Sequence, residues 1–201
     1  MTTLSPLAAA RRGARQSRVE KKPLDSYDTI DPRAVAALLP HLPRRTWFVE
    51  PCAGKGDLVR QLEAAGHRCS LAMDIAPRAA LIAQRDALSP DWTVPMGGVI
   101  ISNPPFEWPL VQQLLDAFAT RSLAWVLLEA GFAHTKRAGP LIQRCRKIVT
   151  IGRLRWEEGS QHSSTKDYAW YLFGQTASPG NAPSFYGHAW VNPQNIGKDA
   201  A

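Results

Sequence analysis

A chain of 201 residues, 45% of them apolar, is long enough to bury one sizeable core, and 24 Lys and Arg against 17 Asp and Glu leave it a net charge of +7. Three cysteines, odd in number and without paired spacing, argue for a reducing cytoplasm. The apolar run from Ser122 to Leu128 is too short to span a bilayer and ends at Glu129, and the N-terminus lacks the apolar stretch of a signal peptide.

Taken in chain order, residues 1–22 hold Arg11, Arg12, Arg15, Arg18, Lys21 and Lys22 against Glu20, a net of +5 that leaves only +2 for the rest. They lack apolar periodicity and are expected to form a disordered basic arm. Asp31-Pro32 opens a helix expected over 31–39, with Asp31 as cap. A strand over 46–50 runs into Pro51-Cys52-Ala53-Gly54-Lys55-Gly56-Asp57, after which helical spacing extends over 57–65 to a stop at Gly66. Strands follow over 68–74, 81–85 and 98–102, the second of which could equally finish a short helix. A helix over 108–120, a strand over 122–129, a helix over 134–144 and strands over 146–151 and 167–173 complete the series. The tail after Gly174, rich in Pro, Gly, Asn and Ser, is expected to be largely disordered, with Phe185, Tyr186 and Trp190 able to dock a piece of it. Strands alternating with helices predict a single α/β domain over 23–174, flanked by the arm at 1–22 and the tail at 175–201.

Two strand ends carry the chemistry. The apolar run 98–102 ends in Asn103-Pro104-Pro105-Phe106, which brings an amide side chain, a proline carbonyl and a flat ring to the rim of a sheet. The Asn103 oxygen and the Pro104 carbonyl can accept the two hydrogens of a planar NH2 group and favour its pyramidal form, and Phe106 can stack on the ring that bears it. Two prolines that merely stop a strand are the plain alternative. Strand 46–50 ends in Glu50 and a turn containing Gly54 and Gly56, the layout of a nucleotide-type cofactor site, where glycines let the backbone approach a ligand closely. No Gly-Lys-Ser/Thr follows, so this is not a phosphate loop, and Glu50 would repel a pyrophosphate but accept an ammonium group.

Together, Glu50-Pro-Cys-Ala-Gly-Lys-Gly56 and Asn103-Pro-Pro-Phe106 resemble the cofactor and catalytic motifs of the S-adenosylmethionine-dependent amino-methyltransferases, specifically the small phage and prophage N6-adenine DNA methyltransferases. The resemblance covers roughly residues 24 to 174. It implies a Rossmann-like, seven-stranded, mostly parallel sheet with an antiparallel last strand and helices on both faces. It implies S-adenosyl-L-methionine as cofactor, gripped by Glu50, Pro51, Cys52, Ala53, Gly54, Gly56 and Asp57 of the turn and by Asn103. Tyr27 and Thr29 resemble the upstream motif that touches the methionine part, Asp74 with Ile75 the position that binds the ribose hydroxyls, and Asp86 with Ala87 the position near the adenine amine. Read without the resemblance, Asp74 could cap a helix at 77–81, Asp86 could serve a turn, Cys52 could simply pack, and Tyr27 and Thr29 could simply open a helix. Asn103, Pro104, Pro105 and Phe106 form the expected catalytic set. Arg153 to Trp156 and Thr165 to Phe173 resemble the C-terminal part of the same enzymes.

The expected partner is DNA. Lys136, Arg137, Arg144, Arg146, Lys147, Arg153 and Arg155 follow one another without an intervening acid, a pattern that holds phosphate backbones or, more plainly, forms a solvated face. Lys136, Arg137, Arg153, Arg155 and Lys166 are the expected nucleic-acid contacts, with His162 in a loop overhanging the site and Trp108 as a wall for a flipped base or a packing residue for the next helix. The five histidines show no ligand spacing and there is no Cys-x-x-Cys, so no metal is expected. The expected sheet takes up nearly all of these residues and leaves little for the extra target-recognition region that such enzymes usually carry, so sequence preference is expected to be weak or short, or shared across a homodimer. The amine could instead belong to RNA adenine, to cytosine N4 or to a protein glutamine, and a non-catalytic nucleic-acid-binding module is the alternative of another class.

Overall fold

Side chains that alternate between two buried faces decide the architecture. In the strand Ala124–Glu129, Ala124, Val126 and Leu128 face one apolar cluster, while Trp125 and Leu127 face another. A period of two places successive side chains on opposite faces of a sheet, so both faces of this one must be covered. The structure is a computed structural model and describes residues 27–157, 159–160, 162–176 and 183–187. The arm expected at 1–22 lies outside the described residues, as do 177–182 and 188–201 of the tail.

In chain order the elements are α1 (Pro32–Leu38), β1 (Trp47–Glu50), α2 (Asp57–Ala64), β2 (Arg68–Asp74), β3 (Ala83–Gln84), β4 (Val99–Ser102), α3 (Leu110–Arg121), β5 (Ala124–Glu129), α4 (Gly139–Ile142), β6 (Cys145–Arg153), β7 (Asp167–Phe173) and β8 (Ser184–Tyr186). The strands form one sheet in the order β3-β2-β1-β4-β5-β7-β6-β8. β3, β2, β1, β4 and β5 run parallel, and β7 inserts antiparallel between β5 and β6. This is the Rossmann-like α/β layout. The leucines and valines of α1 and α2 join the cluster of Phe48, Ile101, Trp125 and Trp170 on one face. Those of α3 and α4 join Val49, Ile100, Val126 and Tyr171 on the other. Fully buried Trp170 donates its indole N–H to the Ala34 carbonyl at 2.8 Å, fastening α1 to the sheet without leaving a polar group unmet.

Three expectations are corrected. The sheet has eight strands, because Ser184–Tyr186 of the tail pairs parallel with β6. The strand over 81–85 shortens to Ala83–Gln84. The helix over 134–144 breaks into 3-10 turns over Ala130–His134 and Lys136–Ala138 and the short α4. Pro140 lacks the N–H that a continuous helix needs there, and Thr135 takes an extended conformation.

The site is positioned by β1 and β4. They are parallel neighbours, with Val49 opposite Ile100, so Glu50 and Ser102-Asn103 leave the sheet along one edge. From β1 the chain moves outward to β2 on one side, whereas β4 lies on the other. That reversal opens a crevice at the carboxyl ends of the two strands.

Candidate active site

A pocket of about 360 Å³ occupies that crevice. Glu50, Pro51, Cys52, Ala53, Gly54 and Asp57 line it from the turn after β1, and Asp74 and Ile75 from the end of β2. Asp86, Ala87, Tyr27 and Thr29 come in from connecting segments, and Asn103, Pro104 and Pro105 from the end of β4. Two of the expected residues stand apart from the lining. Gly56 sits behind it at φ +80°, where a Cβ would lie 3.2 Å from Ile82 Cδ1; its role is to turn the chain into α2. Phe106 is half-buried, and its ring stacks on Tyr27 with centroids 5.8 Å apart and planes inclined at 23°.

Gly54, at φ +54°, is also pressed from above. A Cβ there would lie 2.7 Å from Arg78 Nη2 and 3.0 Å from Asp28 Oδ1, so a larger residue would have to displace a salt bridge. Asp74 holds the turn in place through Oδ2, which accepts from the Gly54 N–H, while its Oδ1 accepts from the Ala76 N–H two residues on, both at 2.8 Å. No helix forms over 77–81, so the alternative of a helix cap at Asp74 is replaced by these two bonds. Asp86 lines the pocket and also closes its own turn by accepting from the Leu88 N–H at 2.8 Å.

The segment 27–31 straps the site. Asn103 Nδ2 donates to the Tyr27 carbonyl at 2.7 Å and to Thr29 Oγ1 at 3.0 Å. Gln61 Nε2 donates to the Thr29 carbonyl at 2.6 Å. Arg78 forms a two-pronged salt bridge with Asp28, which also lies 3.5 Å from Lys55 Nζ. Asp31, with its side chain 1% exposed, caps α1 and accepts from the Arg33 side chain and from the Arg155 N–H at 3.0 Å. Burial opposes its charge, but the Arg33 and Arg155 hydrogen bonds prevail and hold its pKa at about 2. Sequence reading missed Asp28, Gln61 and Arg78. Asp28 and Arg78 are 50 positions apart, and only the fold brings them together.

Of the four buried side-chain oxygens without a hydrogen-bond partner among the described residues, Glu50 Oε2, Gln61 Oε1, Ser102 Oγ and Asn103 Oδ1, two belong to residues that line the pocket: Glu50 and Asn103. Leaving a buried acceptor unmet costs about 1–3 kcal/mol, so both atoms are poised for donors on a ligand. Burial pushes the Glu50 carboxyl well above the usual carboxylate range, and the neighbouring Asp74 and Asp57 push it further. Burial likewise raises the Cys52 thiol, which therefore stays protonated and packs rather than attacks. Six carboxylates line the pocket against one guanidinium, a wall suited to a cation. Among the described residues no group of three or more His, Cys, Asp and Glu could hold a metal ion, and no helix is long and apolar enough to cross a membrane.

Strand direction splits the basic run. Arg144 pairs with Asp116, and Arg146 and Lys147 lie at the start of β6, on the edge away from the pocket. Lys136 and Arg137 follow β5, Arg153 ends β6 and Lys166 precedes antiparallel β7, all on the pocket edge. Arg137 lies over the Trp108 ring at 4.7 Å, and half-buried Trp108 also packs against Phe132. Arg153 is 4.0 Å from Asp167, Arg155 is 3.7 Å from Asp31, and Lys166 pairs with Glu129. His162 is exposed in its loop.

No protein-family model matches this chain, and no curated protein sequence does. Among solved structures, it is similar to a provisionally assigned RNA methyltransferase from Pyrococcus horikoshii, with 14% identity over 71% of this chain and 80% of that one and a TM-score of 0.49. It is similar to the M protein of the type I restriction enzyme EcoKI, with 11% identity over 86% of this chain and 51% of that one, also at 0.49. It is similar to precorrin-6y C5,15-methyltransferase from Geobacter metallireducens, with 14% identity over 71% and 87% of the two chains and a TM-score of 0.45.

Proposed function

We propose that this protein transfers a methyl group from S-adenosyl-L-methionine to the exocyclic N6 amine of adenine in DNA. The observation that carries the reading is the Asn103 amide. Its nitrogen is committed to the strap, so its orientation is fixed and Oδ1 is left buried and unmatched at the pocket wall. An acceptor held in that way needs no reorganisation when it meets an N–H donor.

The pocket residues fit the cofactor. Glu50 Oε2 would take the ammonium group, which would draw that carboxyl into its charged form. Asp74, at the end of β2, would accept from the ribose hydroxyls beside its two backbone bonds, and Ile75 and Ala87 would flank the adenine, with Asp86 near its amine. When bound, S-adenosylmethionine supplies a methyl carbon made electrophilic by its sulfonium. The chain's own task is positioning. Asn103 Oδ1 and the Pro104 carbonyl would accept the two hydrogens of the target amine and turn its lone pair out of the ring plane. Phe106 would stack on the flipped base where it now meets Tyr27. Lys136, Arg137, Arg153 and Lys166 on the pocket edge would hold the phosphate backbone, with the arm at 1–22 adding a salt-dependent contact.

The deciding experiment gives the protein labelled S-adenosylmethionine with unmethylated duplex DNA, single-stranded DNA or RNA, and identifies the modified nucleoside by mass spectrometry. N6-methyladenine from DNA, lost with Asn103→Ala, is the expected result. Label confined to N4-methylcytosine or to RNA would move the substrate while keeping the chemistry. No label on any nucleic acid would refute the reading.

A further inference from the structure

We infer that Arg78 is the partner of the carboxylate at the amino-acid end of the bound cofactor and sets the preference for a ligand that carries one; this rests on the S-adenosylmethionine reading above. The argument begins from charge. Asp28, Glu50, Asp57, Asp74, Asp86 and Glu107 line the pocket, and Arg78 is the single Lys or Arg among its described lining residues. Such a wall attracts the sulfonium and ammonium of the ligand but repels its carboxylate, which must therefore meet a cation or be expelled to water.

Arg78 is placed for that role. Its backbone N–H donates to the Gly54 carbonyl at 3.0 Å, which pins the residue to the glycine turn. Its guanidinium lies directly over Gly54, at the point where the missing side chain lets a ligand come close to the backbone. In this structure the guanidinium is occupied by Asp28, but that carboxylate has a second cation in Lys55, 3.5 Å away and outside the pocket lining. Lys55 can therefore neutralise Asp28 while Arg78 swings to the ligand. A guanidinium offers five N–H donors in a fixed fork, enough to serve a ligand carboxylate while retaining one bond to the strap. Arg78 thus also joins cofactor capture to the strap 27–31, through Asp28.

The test is calorimetric binding of S-adenosylmethionine and of its decarboxylated form, which keeps every other group, to the full chain and to Arg78→Gln and Arg78→Lys. The native protein should prefer the carboxylate-bearing ligand. Arg78→Gln should weaken S-adenosylmethionine by about tenfold more than it weakens the decarboxylated ligand, the worth of a charge-assisted hydrogen bond, because both ligands share any loss from the broken bridge to the strap. Arg78→Lys, which keeps the charge and the pairing with Asp28, should retain most of the preference. An equal loss for both ligands would give Arg78 a purely structural role and overturn the inference, as would no loss for either. Failure of the native protein to bind either ligand would refute the cofactor reading itself, an outcome distinct from the other two.

Discussion

Replacing Asn103 by Ala separates the two jobs assigned to that side chain. The substitution removes two hydrogen bonds to the strap, at 2.7 and 3.0 Å, together with the buried oxygen proposed to meet the target amine. Each strap bond contributes about 1 kcal/mol net, and the Tyr27 carbonyl and Thr29 hydroxyl lose a partner. The strap nevertheless keeps the Gln61 bond to Thr29, the Arg78 bridge to Asp28 and the Arg155 bonds to Asp31. Cofactor affinity should therefore fall by less than about tenfold, since the broken bonds are a minority of those holding the segment. Turnover should fall much further, by about 10²–10³, as expected when a preorganised group facing developing charge is removed. Methyl-transfer rates at saturating cofactor, with cofactor binding measured separately by calorimetry, test the split. Thr29→Val is the control, because it removes one strap bond and leaves Oδ1 in place; its turnover should stay within about tenfold of the native rate. A rate for Asn103→Ala no lower than that of Thr29→Val would refute the catalytic assignment and leave Asn103 as a strap anchor only.

Asp74→Ala removes the clamp on Gly54, the local bond to Ala76 and the expected ribose acceptor, and should weaken cofactor binding by about tenfold or more; unchanged affinity in calorimetry would remove Asp74 from the site. Asp31 is held at a pKa of about 2 against an ordinary 3.8, so its contribution, no more than about 2 kcal/mol, is complete above pH 3.8 and lost as pH falls through 2. Denaturation of the native protein and Asp31→Asn should accordingly differ at neutral pH and converge by about pH 2; a gap that persists in acid would show that it does not come from the charge. Burial and its acidic neighbours hold the Glu50 carboxyl well above the usual carboxylate range, so an ammonium bound against it should favour its charged form and release protons, seen as a dependence of the binding enthalpy on buffer ionisation; identical enthalpies in phosphate and Tris would count against the ammonium contact. Charge reversal of Lys136 and Arg137 should weaken DNA binding about equally across sequences and lower the salt slope by about 1 for each phosphate no longer neutralised, and an unchanged slope would place the DNA elsewhere.

What the chain alone determined was local. The apolar runs ending at Glu50 and Ser102 could be read as buried strands because β-structure with two covered faces leaves continuous hydrophobic stretches, and the glycine and proline turns after them mark where those strands stop. About half of the residues that line the pocket sit within a few positions of those two stops, whereas Tyr27 and Thr29 were expected mainly through the family resemblance and Asp28 and Arg78 were not expected at all. The helix expected over 134–144 does not form as one element, because Pro140 lacks the N–H that a continuous helix would need there. β8 was invisible as a strand because three exposed residues gain their structure from pairing with β6, 37 positions away. Only tertiary structure could fix which way the Asn103 amide points, join Asp28 to Arg78, and divide one basic run between opposite edges of the sheet. Each depends on partners distant in sequence and on strand direction, and neither is encoded in the spacing of neighbouring residues.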